Sequence, residues 1–399
     1  MPLEAPQKHL IPHEGTWVGR IWLPAAFASN GIAGPRVVTA LAGKVFELGD
    51  RFNTFADLIN NPDPVGQIRQ HSSREICSIE ELQSNSIFTN RAERLAEEGL
   101  PCLLSPNDIL ATKACGVTFI KSLLERVIEE KAKGDPQIAA QVRQVILNTL
   151  GNDLSKVKPG SDETVALKAK LIEEGIWSQY LEVGIGPDAE VFTKAQPMSS
   201  VGYGVQIGIH PESKWNNPEP EIVLAVSNTG KIVGATLGND VNLRDFEGRS
   251  ALLLGEAKDQ NGSCSIGPFV RLFDESFSID DVKSCEVSLE ISGEDGFYAS
   301  GSNKMIEISR SPEELVNQAI GENHQYPDGF MLFLGTMFAP TEDRDHKGEG
   351  FTHHVGDRVT ISSPNLGQLV NWVNYANKIP RWEFGLSQLI DYILKSRVS

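Results

Sequence analysis

The sequence predicts an α+β fold: a C-terminal mixed β-sandwich or roll joined to a smaller N-terminal α/β domain. Three observations carry this. From about residue 190 to about 375, β-branched runs alternate with Gly, Asn, Asp and Pro, which gives short strands at irregular intervals. Between about 119 and 180, apolar residues recur at helical spacing. Pro101 to Asn107 follows neither period, so residues 1–103 are read as the N-terminal domain and 104–399 as the second.

Taken in order, residues 1–75 look β-rich and irregular. Val37 to Leu41 and Lys44 to Leu48 flank Ala42-Gly43, which predicts a hairpin, and Asn60-Asn61-Pro62-Asp63-Pro64 predicts a loop. Helical periodicity over 78–98 follows Ser78. A helix from about 119 to 133 would bury Phe119, Leu123, Leu124, Val127 and Ile128, with Ser122, Glu125 and Glu129 on an adjoining stripe. Further helices are expected near 136–150, 162–180 and 382–396. Strands are expected over 221–227, 232–237, 265–272, 283–291, 304–309, 330–335 and 357–362.

A chain of 399 residues, 40% hydrophobic, can bury a large core. Its net charge of −17 argues against nucleic acid and anionic lipid as partners, though not against an anionic substrate held by a metal. Five cysteines (77, 102, 115, 264 and 285) form no CxxC pair, which fits reduced thiols in a cytoplasm. No apolar run reaches membrane-spanning length, and the first residues carry no signal-peptide pattern.

The chemistry concentrates in Pro218-Glu219-Pro220-Glu221 and, about twenty residues on, Asn239-Asp240. Alternate residues of a strand share a face, so Glu219 and Glu221 point the same way. Carboxylates held side by side repel unless a cation or shared proton lies between them. With Asp240 they form a three-oxygen set suited to Mg²⁺ or Mn²⁺. On an exposed strand the same pair would simply be solvated, but the apolar flanks point to burial, where carboxylates need a partner. Gly202 to Gly208 has the wrong spacing for a dinucleotide loop. His353 and His354, as chain neighbours, would face opposite sides of a strand, so one of them is expected to cap a loop or edge the substrate. Lys258 and the Gly335-Thr336 pair are candidate donors to an anionic substrate.

These residues resemble the fumarylacetoacetate hydrolase family. Its Glu-x-Glu and Asp-x-x-x-Arg-Asp motifs match Glu219, Glu221, Asp240, Arg244 and Asp245. Its lysine matches Lys258, its Gly-Thr pair Gly335 and Thr336, and its late Gly-Asp segment Gly356 and Asp357. The family's hydrolases carry Gly-x-Asn-Tyr-x-x-His-x-x-Glu. Here Gly116 to Glu125 keeps the glutamate and places Ser122 at the histidine position. A hydroxyl cannot replace imidazole as a neutral-pH base, so C–C hydrolysis by the usual route is not expected. The segments around Cys115, Ser122, Trp215 and Gly350 are similar to the branch that dehydrates 2-keto-3-deoxy-D-pentonates.

The resemblance implies the family's sandwich or roll, Mg²⁺ on Glu219, Glu221 and Asp240, a small 2-keto-3-deoxy sugar acid as substrate, and a homodimer or homotetramer. It also implies oxidative pentose degradation to 2-oxoglutarate semialdehyde. Glu125 is the expected acid–base group and Lys258 its rival. Ser122 and Thr118 are expected to orient hydroxyls and Thr336 to hold the carboxylate. Acylpyruvate hydrolysis and oxaloacetate decarboxylation on the same scaffold, or ligand binding without turnover, are the competing readings.

Overall fold

The computed structural model describes residues 9–48, 51–71, 74–87, 99–132, 158–173, 175, 177–340, 342–346 and 350–398. An eleven-stranded mixed sheet runs through it, in the order Arg74–Ser78, Lys44–Glu47, Gly34–Leu41, Trp17–Leu23, Cys264–Leu272, Ile232–Asp240, Pro220–Val226, Phe330–Phe333, Ala111–Gly116 and Glu190–Ala195. Cys102–Leu103 pairs beside Trp17–Leu23. A five-stranded sheet lies against it, ordered Tyr298–Lys304, Glu286–Ser292, Arg358–Ser363, Gly367–Tyr375 and Gln206–Ile209.

Strand Pro220–Val226 shows why the large sheet sits at the centre. It is buried along its whole length. Ile222, Leu224 and Val226 face the core shared with Leu289, Ile291, Ile361 and Leu369 of the smaller sheet. Val223 and Ala225 face the other way, into a core with Phe55, Leu58, Ile59 and Ile68. This is the period-two alternation of a strand covered on both faces. The short helices Phe55–Ile59 and Pro64–His71 supply part of the second cover. The N-terminal strands thus continue the main sheet, Trp17 pairing with Arg271.

The expected hairpin forms, with Leu41 opposite Lys44 and both Ala42 (φ 49°) and Gly43 (φ 78°) left-handed, as a tight two-residue turn requires. The helix expected near 119–133 is Ile120–Ala132, and Leu123, Val127 and Ile128 pack on Leu171, Leu181 and Ile185. The single helix expected over 162–180 is two, Asp162–Glu173 and Gln179–Ile185. Gly175 stops the first at φ 69°, and the Ser178 side chain caps the second.

The strand expected over 304–309 lies earlier, at Tyr298–Lys304, and Met305–Glu307 after it is a 3-10 turn. The start of the 283–291 run closes helix Ile279–Ser284, which Ser278 and Asp281 cap reciprocally. The helix expected over 78–98 is shorter, Ile79–Asn85, and ends at its C-cap Ser86; residues 88–98 lie outside the described residues, as does the helix expected near 136–150. The last helix is Leu386–Val398. Among the described residues no helix is long and apolar enough to cross a membrane.

Candidate active site

Strands Pro220–Val226 and Ile232–Asp240 run antiparallel with Glu221 opposite Gly238 and Pro220 opposite Asn239. The register continues one step further, where the Asp240 amide donates to the Glu219 carbonyl at 3.0 Å. Glu219 and Asp240 are therefore direct cross-strand neighbours on the face that Glu221 shares. One carboxylate oxygen from each of the three lies within 4.8 Å of those of the other two, and all three residues are buried.

Each carboxylate has its own partners. Glu219 Oε1 accepts from Arg126 at 2.6 Å and from the Asn242 amide at 3.1 Å, while Oε2 accepts from Lys258 Nζ at 2.7 Å. Asp240 Oδ2 accepts from Lys258 Nζ at 3.1 Å, and its Oδ1 lies 2.8 Å from the fully buried Lys194 Nζ. Glu221 receives the Gly335 N–H at 2.7 Å and the Thr336 hydroxyl at 3.4 Å. Arg126 also pairs with Glu247, at 3.2 Å.

Burial raises the Glu221 carboxyl well above the usual carboxylate range, and the charges of Asp240 and Glu219 push it further. Burial opposes ionisation of Asp240 too, but Lys194 and Lys258 outweigh it and hold that carboxyl low. Burial would strip the proton from Lys258, yet Asp240, Glu219 and Glu247 outweigh it and keep the ammonium charged. Were all five carboxylates (Glu190, Glu219, Glu221, Asp240 and Glu247) ionised against three cations (Arg126, Lys194 and Lys258), five less three would leave two negative charges, and the raised Glu221 and Glu190 carboxyls are the cluster's response to that excess. An all-oxygen set short by two positive charges fits a hard divalent cation, with Glu219, Glu221 and Asp240 as its ligands.

The hollow beside the triad is walled by Cys115, Gly116, Val117, Ser122, Arg126, Glu190, Phe192, Glu247, Lys258 and Thr336, with Glu219 and Asp240. Ser122 and Arg126, one turn apart on helix Ile120–Ala132, both reach it. Glu125 of that helix lies instead by Arg244, whose charge it favours. Thr118 sits behind the wall: its hydroxyl donates to the Leu334 carbonyl at 2.6 Å, and its own carbonyl accepts from Ser309. Thr336 lines the hollow while holding Glu221. His353 is tied to a loop, its Nδ1 3.0 Å from Asp357.

Sequence reasoning missed Arg126, Glu190, Lys194 and Glu247. Glu190 opens strand Glu190–Ala195 opposite Gly116. A Cβ on Gly116 would fall 1.7 Å from the Glu190 carboxylate, so a larger residue there would push that side chain out of its present place. Burial, then the charge of Glu247, pushes the Glu190 carboxyl up to about 7. The Cys115 thiol is pushed up by burial and then by Glu221, which keeps it protonated and unreactive.

A family model described as fumarylacetoacetate (FAA) hydrolase C-terminal matches residues 173–374. A 2-dehydro-3-deoxy-D-arabinonate dehydratase of Saccharolobus solfataricus is 33% identical over 219 residues, covering 55% of this chain and 68% of the relative. A probable 2-keto-3-deoxyxylonate dehydratase of Haloferax volcanii is 32% identical over 209 residues, 52% of this chain and 68% of that one. Among solved structures, a 2-keto-3-deoxy-D-arabinonate dehydratase complexed with magnesium and 2,5-dioxopentanoate superposes with a TM-score of 0.56 at 19% identity, covering 90% of this chain and 99% of that one. That likeness is one of fold.

Proposed function

We propose that this chain, which belongs to the fumarylacetoacetate hydrolase family, is a Mg²⁺-dependent hydro-lyase that converts a 2-keto-3-deoxy-D-pentonate to 2-oxoglutarate semialdehyde. The observation that carries this reading is the buried triad of Glu219, Glu221 and Asp240 beside a hollow whose facing helix offers Ser122 and Arg126 rather than an imidazole. D-xylonate and D-arabinonate both lead to this keto acid, so either pentose route can supply it. Mn²⁺ suits the same donors.

When bound, the cation supplies Lewis-acid polarisation of an α-keto acid, which acidifies the neighbouring methylene. The chain's own residues do the rest. Glu190, poised near neutral pH, removes a C3 proton. The Lys258 ammonium stabilises the developing enolate charge. Ser122 orients the C4 hydroxyl, and the proton now on Glu190 leaves with that hydroxyl as water. Loss of a C5 proton and return of a proton to C3 give the C4–C5 enol, which tautomerises, a proton leaving the C5 hydroxyl and one arriving at C4, to the aldehyde. Thr336 helps to fix the carboxylate end, and Thr118 holds the Leu334–Thr336 turn in place. Glu125 passes its expected acid–base role to Glu190 and supports Arg244 instead.

The test is incubation of the Mg²⁺-loaded protein with 2-keto-3-deoxy-D-xylonate, acetylpyruvate and oxaloacetate, with products identified by mass. Semialdehyde from the sugar acid alone is expected. Pyruvate from either of the other two, at a higher kcat/KM, would overturn the dehydratase reading in favour of hydrolysis or decarboxylation.

A further inference from the structure

Lys194 stands one residue before the end of strand Glu190–Ala195 and is fully buried. It takes no part in the chemistry proposed for Glu190, Lys258 and Ser122. Two backbone carbonyls aim its ammonium: Nζ donates to the Lys258 carbonyl at 2.6 Å and to the Val241 carbonyl at 3.2 Å. The first closes helix Leu254–Lys258 and the second follows strand Ile232–Asp240, so both belong to the frame of the site. The same Nζ lies 2.8 Å from Asp240 Oδ1. The other two carboxylates show the same division of their oxygens. Glu219 Oε1 is held by Arg126 and the Asn242 amide, and Glu221 Oε2 by the Gly335 N–H. The remaining oxygens are more open. Glu219 Oε2 and Asp240 Oδ2 converge on the single Lys258 Nζ, at 2.7 and 3.1 Å, and Glu221 Oε1 has the long Thr336 contact of 3.4 Å. The Lys258 head, on a flexible stem that lines the hollow, can give way to a cation, whereas the Lys194 head is gripped by backbone.

We infer that Lys194 is a positioning residue that sets which divalent cation the site takes, favouring Mg²⁺ over Ca²⁺. With Oδ1 against a fixed ammonium, Asp240 has one oxygen to offer an ion, not two. An ion drawn to both oxygens would come close to the Lys194 charge in a low-dielectric interior. Mg²⁺ is small, demands near-octahedral geometry and keeps much of its water, so one oxygen from each carboxylate suits it. Ca²⁺ is larger, takes about six to eight oxygens and often both of a carboxylate, so the tied oxygens cost it ligands. Selectivity is a difference of affinities, and blocking the second oxygen acts against the larger ion. Glu219 and Glu221 add to the same effect through Arg126, Asn242 and Gly335. The inference rests on the reading of Glu219, Glu221 and Asp240 as cation ligands, and not on the reaction that the cation serves.

Calorimetric titration of the chelator-treated full chain with MgCl₂ and with CaCl₂ tests it, on the wild type, Lys194→Met and Arg126→Leu, with circular dichroism to check the fold of each. The wild type should bind Mg²⁺ about tenfold more tightly than Ca²⁺, or better. Lys194→Met, with Oδ1 released, should lower that affinity ratio by about tenfold. Arg126→Leu, which leaves the Asn242 amide on Glu219 Oε1, should lower it by a smaller factor. Removing a nearby positive charge strengthens both ions alike and leaves the ratio where it was, so the ratio separates the placing of an oxygen from the loss of a charge. An unchanged ratio in folded Lys194→Met, or a wild-type chain without preference for Mg²⁺, would overturn the proposal. Should Lys194→Met not fold, the wild-type preference and the Arg126→Leu ratio decide it in the same way. A wild-type chain that binds neither ion would overturn the cation reading itself, and the proposal with it.

Discussion

Asp357 and Glu221 are both buried carboxylates, yet their surroundings push them in opposite directions. Burial disfavours the charge of Asp357 as well, but Arg344 grips it with two bonds of 2.6 and 2.7 Å, and His353 and the His354 amide add two more. Its carboxyl is held down at about 2. Glu221 receives a backbone N–H and a long hydroxyl contact, and its nearest charges are two other carboxylates. One cluster is matched within the chain, and it ties the loop before strand Arg358–Ser363 to its base. The other, when fully ionised, is two charges short, beside a hollow. Buried charge matched by the fold serves the fold; buried charge left unmatched marks what the fold is for.

The sharpest way to break this comparison is to neutralise a carboxylate on each side. Glu219→Gln or Glu221→Gln should reduce Mg²⁺-dependent turnover to background. In chelator, the melting midpoint of Glu221→Gln should be no lower than that of the wild type, because repulsion is relieved. A clear drop in that midpoint would show that Glu221 is matched after all. Asp357→Asn should do the reverse: breaking a buried pair costs about 3–5 kcal/mol of stability. Urea unfolding would show this, and calorimetry should find Mg²⁺ affinity unchanged.

Glu190→Gln is expected to lower kcat by about 10²–10⁴ while leaving Mg²⁺ binding intact. Wild-type kcat/KM should rise with pH through a value at or below 7, since the carboxylate is the active form and a bound cation favours it further. That limb should be absent from the residual activity of Glu190→Gln. An unchanged pH profile would move the base elsewhere.

Smaller effects refine the picture. Mg²⁺ at one hundred times its Kd should stabilise the folded chain by about 2.7 kcal/mol if it binds only there. Asp357, with its folded pKa depressed, contributes stability that is fully present above about pH 4 and is lost as pH falls through about 2. Asp357→Asn should flatten that part of an acid-unfolding curve.

Half of the site was legible in the sequence because it is local. Glu219 and Glu221 are two residues apart on one strand, and Asp240 ends the strand that pairs with it. Lys258 and Thr336 are legible as candidate donors to an anionic substrate, and the family motifs match them as well. Arg126, Glu190, Lys194 and Glu247 were not, because nothing near them in the chain marks them. They converge only once strand Glu190–Ala195 pairs with Ala111–Gly116 and helix Ile120–Ala132 turns toward the hollow. The same holds for the fold. Runs rich in Val and Ile announced the central strands, while Tyr298–Lys304, rich in Ser, Gly and Asn, is a strand because seven residues of Glu286–Ser292 pair with it. Helix Ile120–Ala132 showed its apolar face plainly, but which polar residue beside that face would reach the hollow was a matter of tertiary placement.

The central claim is that the excess negative charge around Glu221 exists to hold a divalent cation that turnover requires. Exhaustive chelation followed by stepwise return of Mg²⁺, with semialdehyde formation measured at each step, tests it most directly. Turnover should vanish in chelator and return in proportion to the cation bound, saturating at one per chain. Full activity in the chelated protein would contradict it.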